Sequence, residues 1–369
     1  MKLRLIIMMC ILSLLLCGCN WMSGSYLSIT PHQGQSTGIQ AKDRTAANYL
    51  QLRTVLEEMV RSGVENAVIN VENYREDLVE EAIESAALYI KERYPLGAYA
   101  VDEISYEVGT GGGRPAISVN IAYIHGRSEI RKIVDVADMS DVQKQITDAL
   151  DNCSDSMVAW VRSYEAIDLV QIVEDYMKEN PDIVMEMPQV AVGIYPDAGS
   201  SRIVEVKFTY ETSRESLRQM QQQVRRIFSS AQLYTNADAT AEQKYAQLYT
   251  FLMERFDYEV QTSITPAYSL LNHGVGDCEA FASVYASMCR KAGLDCHLVS
   301  DTKDGKSWYW NIVHEDGVSY HIDLLRCSEN GKFQRLPDSD MEGYVWDYTA
   351  YDYSQMAPTE PATEPAPTE

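Results

Sequence analysis

The sequence is poor in positive charge. Its 369 residues contain 31 Lys and Arg against 54 Asp and Glu, which gives a net charge of −23. Nucleic-acid binding depends on Lys and Arg displacing counterions from phosphates, and an acidic surface also repels anionic lipid. We therefore do not expect nucleic acid as a partner.

The sequence also lacks any sign of a polytopic membrane protein or of general disorder. With 46% hydrophobic and 23% charged residues, it has the composition of a globular protein. Its length is sufficient for two or three domains. The apolar run at residues 5–16 covers twelve residues, fewer than the roughly 20 needed to span a bilayer.

That short run is typical of a secretion signal. Lys2 and Arg4 precede it, and Leu16-Cys17-Gly18-Cys19 follows it. The last four residues resemble the bacterial lipobox, in which cleavage before a Cys allows its thiol to carry lipid. This resemblance predicts a signal peptide at residues 1–18 and lipidation of Cys19, with the protein anchored to the bacterial cell membrane and facing outward. A plain signal peptide is the alternative.

Two further segments have the composition of unfolded chain. Residues 19–42 are rich in Ser, Gly, Gln and Thr without hydrophobic periodicity, which predicts a flexible tether. Residues 354–369 form a Pro/Thr/Glu-rich tail that cannot bury apolar surface. We predict that this tail is disordered.

The middle of the chain has a hydrophobic pattern that occurs twice. A short strand, an amphipathic helix and two alternating strands are predicted in residues 43–150, and again in residues 151–235. Ser213 is then predicted to cap a helix. The Gly-rich loop at 109–113 joins two strands, so it is interpreted as a hairpin turn and not as a phosphate-binding loop. We interpret the region as two similar α/β units that act as a spacer or a partner-binding surface.

The candidate chemistry lies after Ala241. Residues 241–258 are predicted to be helical, and a loop leads from them to Cys278. Cys278 is predicted to open a buried helix that Asp277 caps and Gly293 ends. A thiol at a helix N-terminus has a lowered pKa, although the flanking carboxylates of Asp277 and Glu279 oppose this effect.

Several motifs occur here in a characteristic order: GVGDCEAFA at 274–282, AGLDCHLV at 292–299, WNIV at 310–313 and YHID at 320–323. Together they resemble the core of the transglutaminase-like superfamily, which is related to papain-type cysteine proteases. The resemblance covers residues 240–353. It implies an α+β fold in which an N-terminal helix packs against an antiparallel sheet.

The resemblance assigns two catalytic positions and leaves one unmatched. Cys278 matches the nucleophile and Asp323 matches the residue that orients the catalytic His. The family pattern His-Ala-Trp-Asn corresponds to residues 308–311, so Trp308 stands at the His position. A hairpin turn at 316–317 would place Trp308 diagonally across from Asp323. Indole nitrogen only donates hydrogen bonds, so Trp308 cannot act as a base.

Other His residues are candidates to substitute for the missing base. His321 and His314 are predicted to lie too far along the hairpin from Trp308. His321 and His297 are interpreted as core or strand residues. His273 is interpreted as a loop residue, and it is the one candidate that geometry does not exclude.

Cysteine and histidine spacing indicates neither a cofactor nor a metal site. Five Cys remain after the anchor, an odd number, so at least one thiol is free unless it pairs between molecules. A bridge between Cys289 and Cys296 is possible. No Cys/His pair has ligand spacing.

Two hypotheses follow. In the first, the domain is a catalytically inactive or weakly active binding module, and Trp308, Tyr309, Trp310 and Asn311 line a site for a peptide, a protein or a cell-wall glycan. In the second, it is an active thiol-dependent amide hydrolase or acyltransferase that uses Cys278 and Asp323. The first is favoured because the substitution removes the group that moves protons.

Overall fold

The computed structural model describes residues 44–111, 113–259, 265–315, 317–347 and 350–351. The predicted signal peptide, the Cys19 anchor, the tether and the tail at 354–369 lie outside these residues. Within the described part of the chain, no helix combines the length and the apolar character needed to cross a membrane.

The first α/β region combines a sheet with helices. Strands β2, β4 and β3 pair antiparallel in that order. Buried apolar side chains of α1 and α2, such as Leu56 and Ile83, pack with Ile117 of β4. The elements are β1 (Arg44–Thr45), α1 (Tyr49–Ser62), β2 (Asn66–Asn70), a 3-10 turn (Glu76–Leu78), α2 (Val79–Glu92), α3 (Pro95–Ala100), β3 (Val101–Gly111), β4 (Arg114–Tyr123) and α4 (Arg127–Ile130).

The second α/β region repeats much of this order. Strand β5 pairs parallel with β6, and β6, β8 and β7 pair antiparallel in that order. The succession helix, strand, helix, hairpin is thus present in both regions. The elements are β5 (Val134–Asp138), α5 (Met139–Asp151), β6 (Ser156–Ser163), α6 (Leu169–Glu179), β7 (Gln189–Tyr195) and β8 (Arg202–Thr209).

The C-terminal region packs helices against one face of an antiparallel sheet, in the order β13-β12-β11-β14. This is the α+β class that the sequence predicts. The elements are α7 (Arg214–Tyr234), α8 (Ala241–Met253), β9 (Asp257–Tyr258), α9 (Pro266–His273), β10 (Val275–Gly276), α10 (Cys278–Lys291), β11 (Asp295–Lys303), β12 (Lys306–Glu315), β13 (Val318–Ile322), α11 (Leu324–Glu329), a 3-10 turn (Asp338–Asp340) and β14 (Tyr344–Val345).

Helix α10 is the centre of the C-terminal region. Every residue from Ala280 to Cys289 is buried, because the helix packs against the sheet and against other helices. Its side chains are small or apolar around the whole circumference, which is typical of a fully buried helix. The first residue of α10, Cys278, is thereby held in a fixed position.

Helix α7 also contributes to this core. Its N-cap is Ser213, whose hydroxyl accepts a hydrogen bond from the Ser216 amide, as predicted. Its buried face, which includes Leu217, Val224 and Phe228, joins the same apolar cluster as the side chains of α10.

Two predictions about the segment before Cys278 were wrong. Helix α8 ends at Met253 and not at Tyr258, because Asp257 and Tyr258 instead pair in parallel with β10. The predicted loop contains helix α9, which begins after the capping hydroxyl of Thr265 and ends at Gly274 with φ +82°. His273 is therefore the last residue of a helix and not a loop residue.

Candidate functional site

The candidate site begins at the N-terminus of α10. The Asp277 carboxylate accepts a hydrogen bond from the Ala280 amide at 3.0 Å, which is the predicted N-cap. Cys278 is the first residue of the helix and is half-buried. The sequence therefore correctly indicated where this thiol lies.

The surroundings of Cys278 favour the neutral thiol. Burial is the largest effect and raises its pKa, and the carboxylates of Asp277 and Asp323 raise it further. The backbone amides of Tyr309 and Glu279 donate hydrogen bonds that lower the pKa, but the net shift is upward. The position at the helix N-terminus therefore does not bring the pKa of this thiol below its ordinary value.

The hairpin of β12 and β13 carries the other two predicted positions. Its register runs from the pair Glu315 and Val318 to the pair Asn311 and Ile322, as a turn at 316–317 predicts. Asp323 follows β13 directly and is the N-cap of α11. One of its oxygens, Oδ1, accepts hydrogen bonds from the Leu325 and Arg326 amides, each at 3.1 Å.

The second oxygen of Asp323 is also engaged. Oδ2 accepts hydrogen bonds from Trp308 Nε1 at 2.9 Å, from the Tyr344 hydroxyl at 2.6 Å and from Lys303 Nζ at 3.3 Å. Asp323 is only 1% exposed. Its carboxylate thus has five donors, one of them the indole of Trp308.

Lys303 and Tyr344 complete this cluster and were not predicted from the sequence. Lys303 Nζ lies 4.7 Å from the centroid of the Trp308 ring and 5.0 Å from that of Tyr344. Burial and the nearby Asp323 carboxylate raise the pKa of Tyr344, so its hydroxyl remains protonated and donates. No local motif could reveal these partners, since they come from the ends of β11 and β14.

The four predicted binding residues divide into two groups. Trp308 and Tyr309 are half-buried and retain exposed surface. Trp310 and Asn311 are fully buried. Trp310 Nε1 donates to His321 Nδ1 at 3.0 Å, and the Asn311 amide donates to the Ala282 carbonyl at 2.9 Å. Trp310 thus bonds within the sheet and Asn311 joins the sheet to α10, and neither side chain can contact a ligand in this conformation.

The His residues lie in other environments. His321 is 1% exposed and bonds to Trp310 and, at 2.9 Å, to Asp338. Burial lowers its pKa, against the opposing effect of Asp338. The exposed His273 contacts Asn272 and Tyr268. His297 is a strand residue of β11, as predicted.

The five described cysteines are free thiols: Cys153, Cys278, Cys289, Cys296 and Cys327. The bridge between Cys289 and Cys296 that the sequence allows is therefore not formed. A hydrogen bond links these two thiols instead, and burial raises the pKa of Cys289 well above its ordinary value.

Comparison with known proteins identifies the C-terminal region. Residues 229–351 match the family model described as the Transglutaminase-like superfamily. A crystal structure of a TGase matches with 11% identity over 64% of this chain and 68% of its own, at a TM-score of 0.27. A structure described as a "Putative Cysteine Protease from Cytophaga hutchinsonii" matches with 11% identity over 40% of this chain and 65% of its own, at a TM-score of 0.25. No curated protein matches the chain.

Proposed function

Because residues 229–351 are a transglutaminase-like domain, we propose that they serve as a non-catalytic module that binds an extended polypeptide at the bacterial cell envelope. In this proposal Trp308 stands where an active member of the family carries its catalytic His. The domain would then retain the cleft of an amide-processing enzyme without its proton-transfer group.

This proposal rests on the observation that both oxygens of the Asp323 carboxylate already accept hydrogen bonds. An orienting carboxylate needs a free oxygen to hold an imidazole. Here Oδ1 caps α11, and Oδ2 accepts from Trp308, Tyr344 and Lys303. Both oxygens of the carboxylate are therefore occupied by donors from the protein itself. The indole beside them cannot accept a proton.

The state of Cys278 supports the same conclusion. Its pKa is raised, so the thiolate fraction near neutral pH is smaller than that of an ordinary cysteine. Without a neighbouring base, nothing removes the thiol proton when a substrate approaches.

The proposed binding surface consists of Trp308, Tyr309 and Tyr258. Tyr258 is 50% exposed, and its pKa is raised by burial and by Cys278, Asp277 and Asp323, which lie within electrostatic reach. Aromatic rings provide large contact areas and keep a polar edge for hydrogen bonds. A polypeptide is favoured over a glycan because the family resemblance implies that amides enter this cleft.

We further propose that Cys19 anchors the protein by lipid to the outer face of the cell membrane. The support is the sequence alone: a basic start, a twelve-residue apolar run and the lipobox-like residues 16–19. A flexible segment at 19–42 would hold the folded part away from the bilayer.

An active thiol enzyme is the second candidate. It is favoured by the position of Cys278, which lies half-buried at a helix N-terminus and receives hydrogen bonds from two backbone amides. Those amides would stabilise a thiolate if another group removed the proton.

Alkylation of Cys278 distinguishes the two candidates. The full chain, purified in detergent, is treated with iodoacetamide across a pH series, and the peptide that contains residue 278 is quantified by mass spectrometry. The binding-module proposal predicts slow alkylation below about pH 8.5, the ordinary thiol pKa, with a midpoint above that value. The Cys278→Ser variant identifies the signal.

Rapid alkylation at pH 6–7 would overturn the proposal and support the enzyme. The binding role is tested with β-casein, an unfolded polypeptide, by biolayer interferometry. We expect saturable binding that Tyr258→Ala or Tyr309→Ala weakens at least several-fold, whereas Tyr49→Ala, which removes an exposed tyrosine of α1, has no effect. Binding that all three variants leave unchanged would argue against this surface.

A further inference from the structure

One face of the C-terminal sheet is only partly covered. Cys296 of β11 and Val313 of β12 are buried in the core around α10, so their neighbours along each strand point to the opposite face. Over much of its area that opposite face is covered, and Val299, Trp310 and Ile312 pack there with Leu336 and Trp346. The end of this face near Asp295 is open to solvent.

Three potential metal ligands meet at the open end. Asp295 and His314 are directly opposite each other in the β11–β12 ladder. His297 lies two residues along β11, on the same face as Asp295. One ligand atom from each of the three residues lies within 4.8 Å of the others.

The distances suit a small cation. His297 Nε2 and Asp295 Oδ1 are 2.8 Å apart. A tetrahedral zinc site with bonds of roughly 2.0–2.1 Å has ligand atoms about 3.3 Å apart. Rotations of side chains that are already about half exposed, 49% for His297 and 56% for Asp295, would reach this geometry.

The surroundings hold the ligands in place. Ser319 Oγ lies 2.7 Å from His314 Nδ1. In the tautomer that donates from Nδ1 to this hydroxyl, the Nε2 lone pair of His314 faces a metal. The Tyr245 hydroxyl donates to the Asp295 carbonyl at 2.6 Å and so fixes the start of β11. Adjacent strands are rigid supports for a ligand set.

We propose that Asp295, His297 and His314 bind a divalent transition metal, with Zn²⁺ as the best match. Two imidazoles and one carboxylate are ligands that Zn²⁺ accepts, whereas Ca²⁺ and Mg²⁺ prefer sites made entirely of oxygen atoms. Three protein ligands leave a fourth position for water or for a group from a partner. The site is independent of the proposed binding role of the Trp308 surface.

This proposal departs from the expectation from the sequence that no metal site is present. Spacing along the chain does not reveal this group, because 17 positions separate His297 from His314. Strand pairing brings them together, with ring centroids 5.4 Å apart.

Isothermal titration calorimetry with ZnCl₂ tests the site. The full chain is treated with EDTA, exchanged into metal-free buffer with detergent, and titrated. We expect the wild type to bind Zn²⁺ at one saturable site. The affinity for Zn²⁺ should be at least about tenfold weaker in each of His297→Ala and His314→Ala. His273→Ala, which removes an exposed His elsewhere in the region, should bind as the wild type does. An excess of Ca²⁺ or Mg²⁺ should not displace Zn²⁺.

Absence of saturable Zn²⁺ binding in the wild type would overturn the proposal. Equal affinity in the wild type and in both His variants would also overturn it, because the metal would then be bound elsewhere. Circular dichroism of each variant before titration verifies the fold, and His297→Gln provides a second test if an Ala variant is unfolded.

Discussion

Removal of the Asp323 carboxylate should destabilise the C-terminal region strongly. In Asp323→Ala, helix α11 loses its N-cap, which costs about 1 kcal/mol. Trp308 Nε1 and the Tyr344 hydroxyl also lose their acceptor, and each buried unsatisfied donor costs roughly 1–3 kcal/mol. Lys303 is 24% exposed and can recover hydration, so it adds little. These contributions sum to about 3–7 kcal/mol. Because Trp308 is only half-buried, we expect the lower part of this range, about 3–5 kcal/mol, which is also the range for removing one partner of a buried charge pair.

Urea unfolding followed by tryptophan fluorescence measures this loss, since Trp308, Trp310 and Trp346 all lie in the affected region. With a slope of roughly 1–3 kcal/mol per molar urea, the midpoint should fall by about 1–5 M. The matched control is Asp340→Ala, which removes an exposed carboxylate from the same region and should change stability by no more than about 0.5 kcal/mol. If Asp323→Ala unfolds at the same urea concentration as Asp340→Ala, the five-donor cluster does not stabilise the fold.

Two further predictions concern imidazole groups. Trp308→His should increase the alkylation rate of Cys278 near neutral pH several-fold, because an imidazolium close to a thiol lowers its pKa. An unchanged rate would mean that the side chain at 308 does not reach the thiol. Burial lowers the pKa of His321, so the folded state disfavours its protonation, and stability should decline as the pH falls below about 6.5. Urea midpoints of the wild type and of His321→Gln at pH 7.5 and 5.5 test this. The difference between the two midpoints should be smaller in His321→Gln than in the wild type. An equal difference in both proteins would assign the pH dependence to other groups.

The sequence was most informative where one element determines its own structure. The N-cap at Asp277, the start of α10 at Cys278 and the β12–β13 register all depend on local patterns of capping, periodicity and turn residues. The family resemblance depended on the same segments, and it correctly predicted the α+β class.

The sequence was least informative where distant segments meet. Tyr344 and Lys303 reach Asp323 only because β14 pairs with β11, and the pattern of a two-residue strand is too short to detect. The alternation of side chains between the two faces of β12 likewise does not show which of these side chains another segment of the chain covers. Trp310 was therefore assigned to a binding surface, although Trp346 and other distant residues bury it. The short helix α9 was missed because its apolar pattern spans only two turns.

Helix α7 determines which part of the chain can be transplanted. The family match starts at residue 229, which lies inside this helix, while the side chains of Leu217, Val224 and Phe228 that seal the C-terminal core precede it. A gene fragment cut at the family boundary would encode only the last six of the 21 residues of this helix and leave a gap in the apolar interior. In any chimera or domain exchange, the transferred fragment should therefore begin no later than Ser213, so that it contains the whole of α7 together with the core that α7 covers.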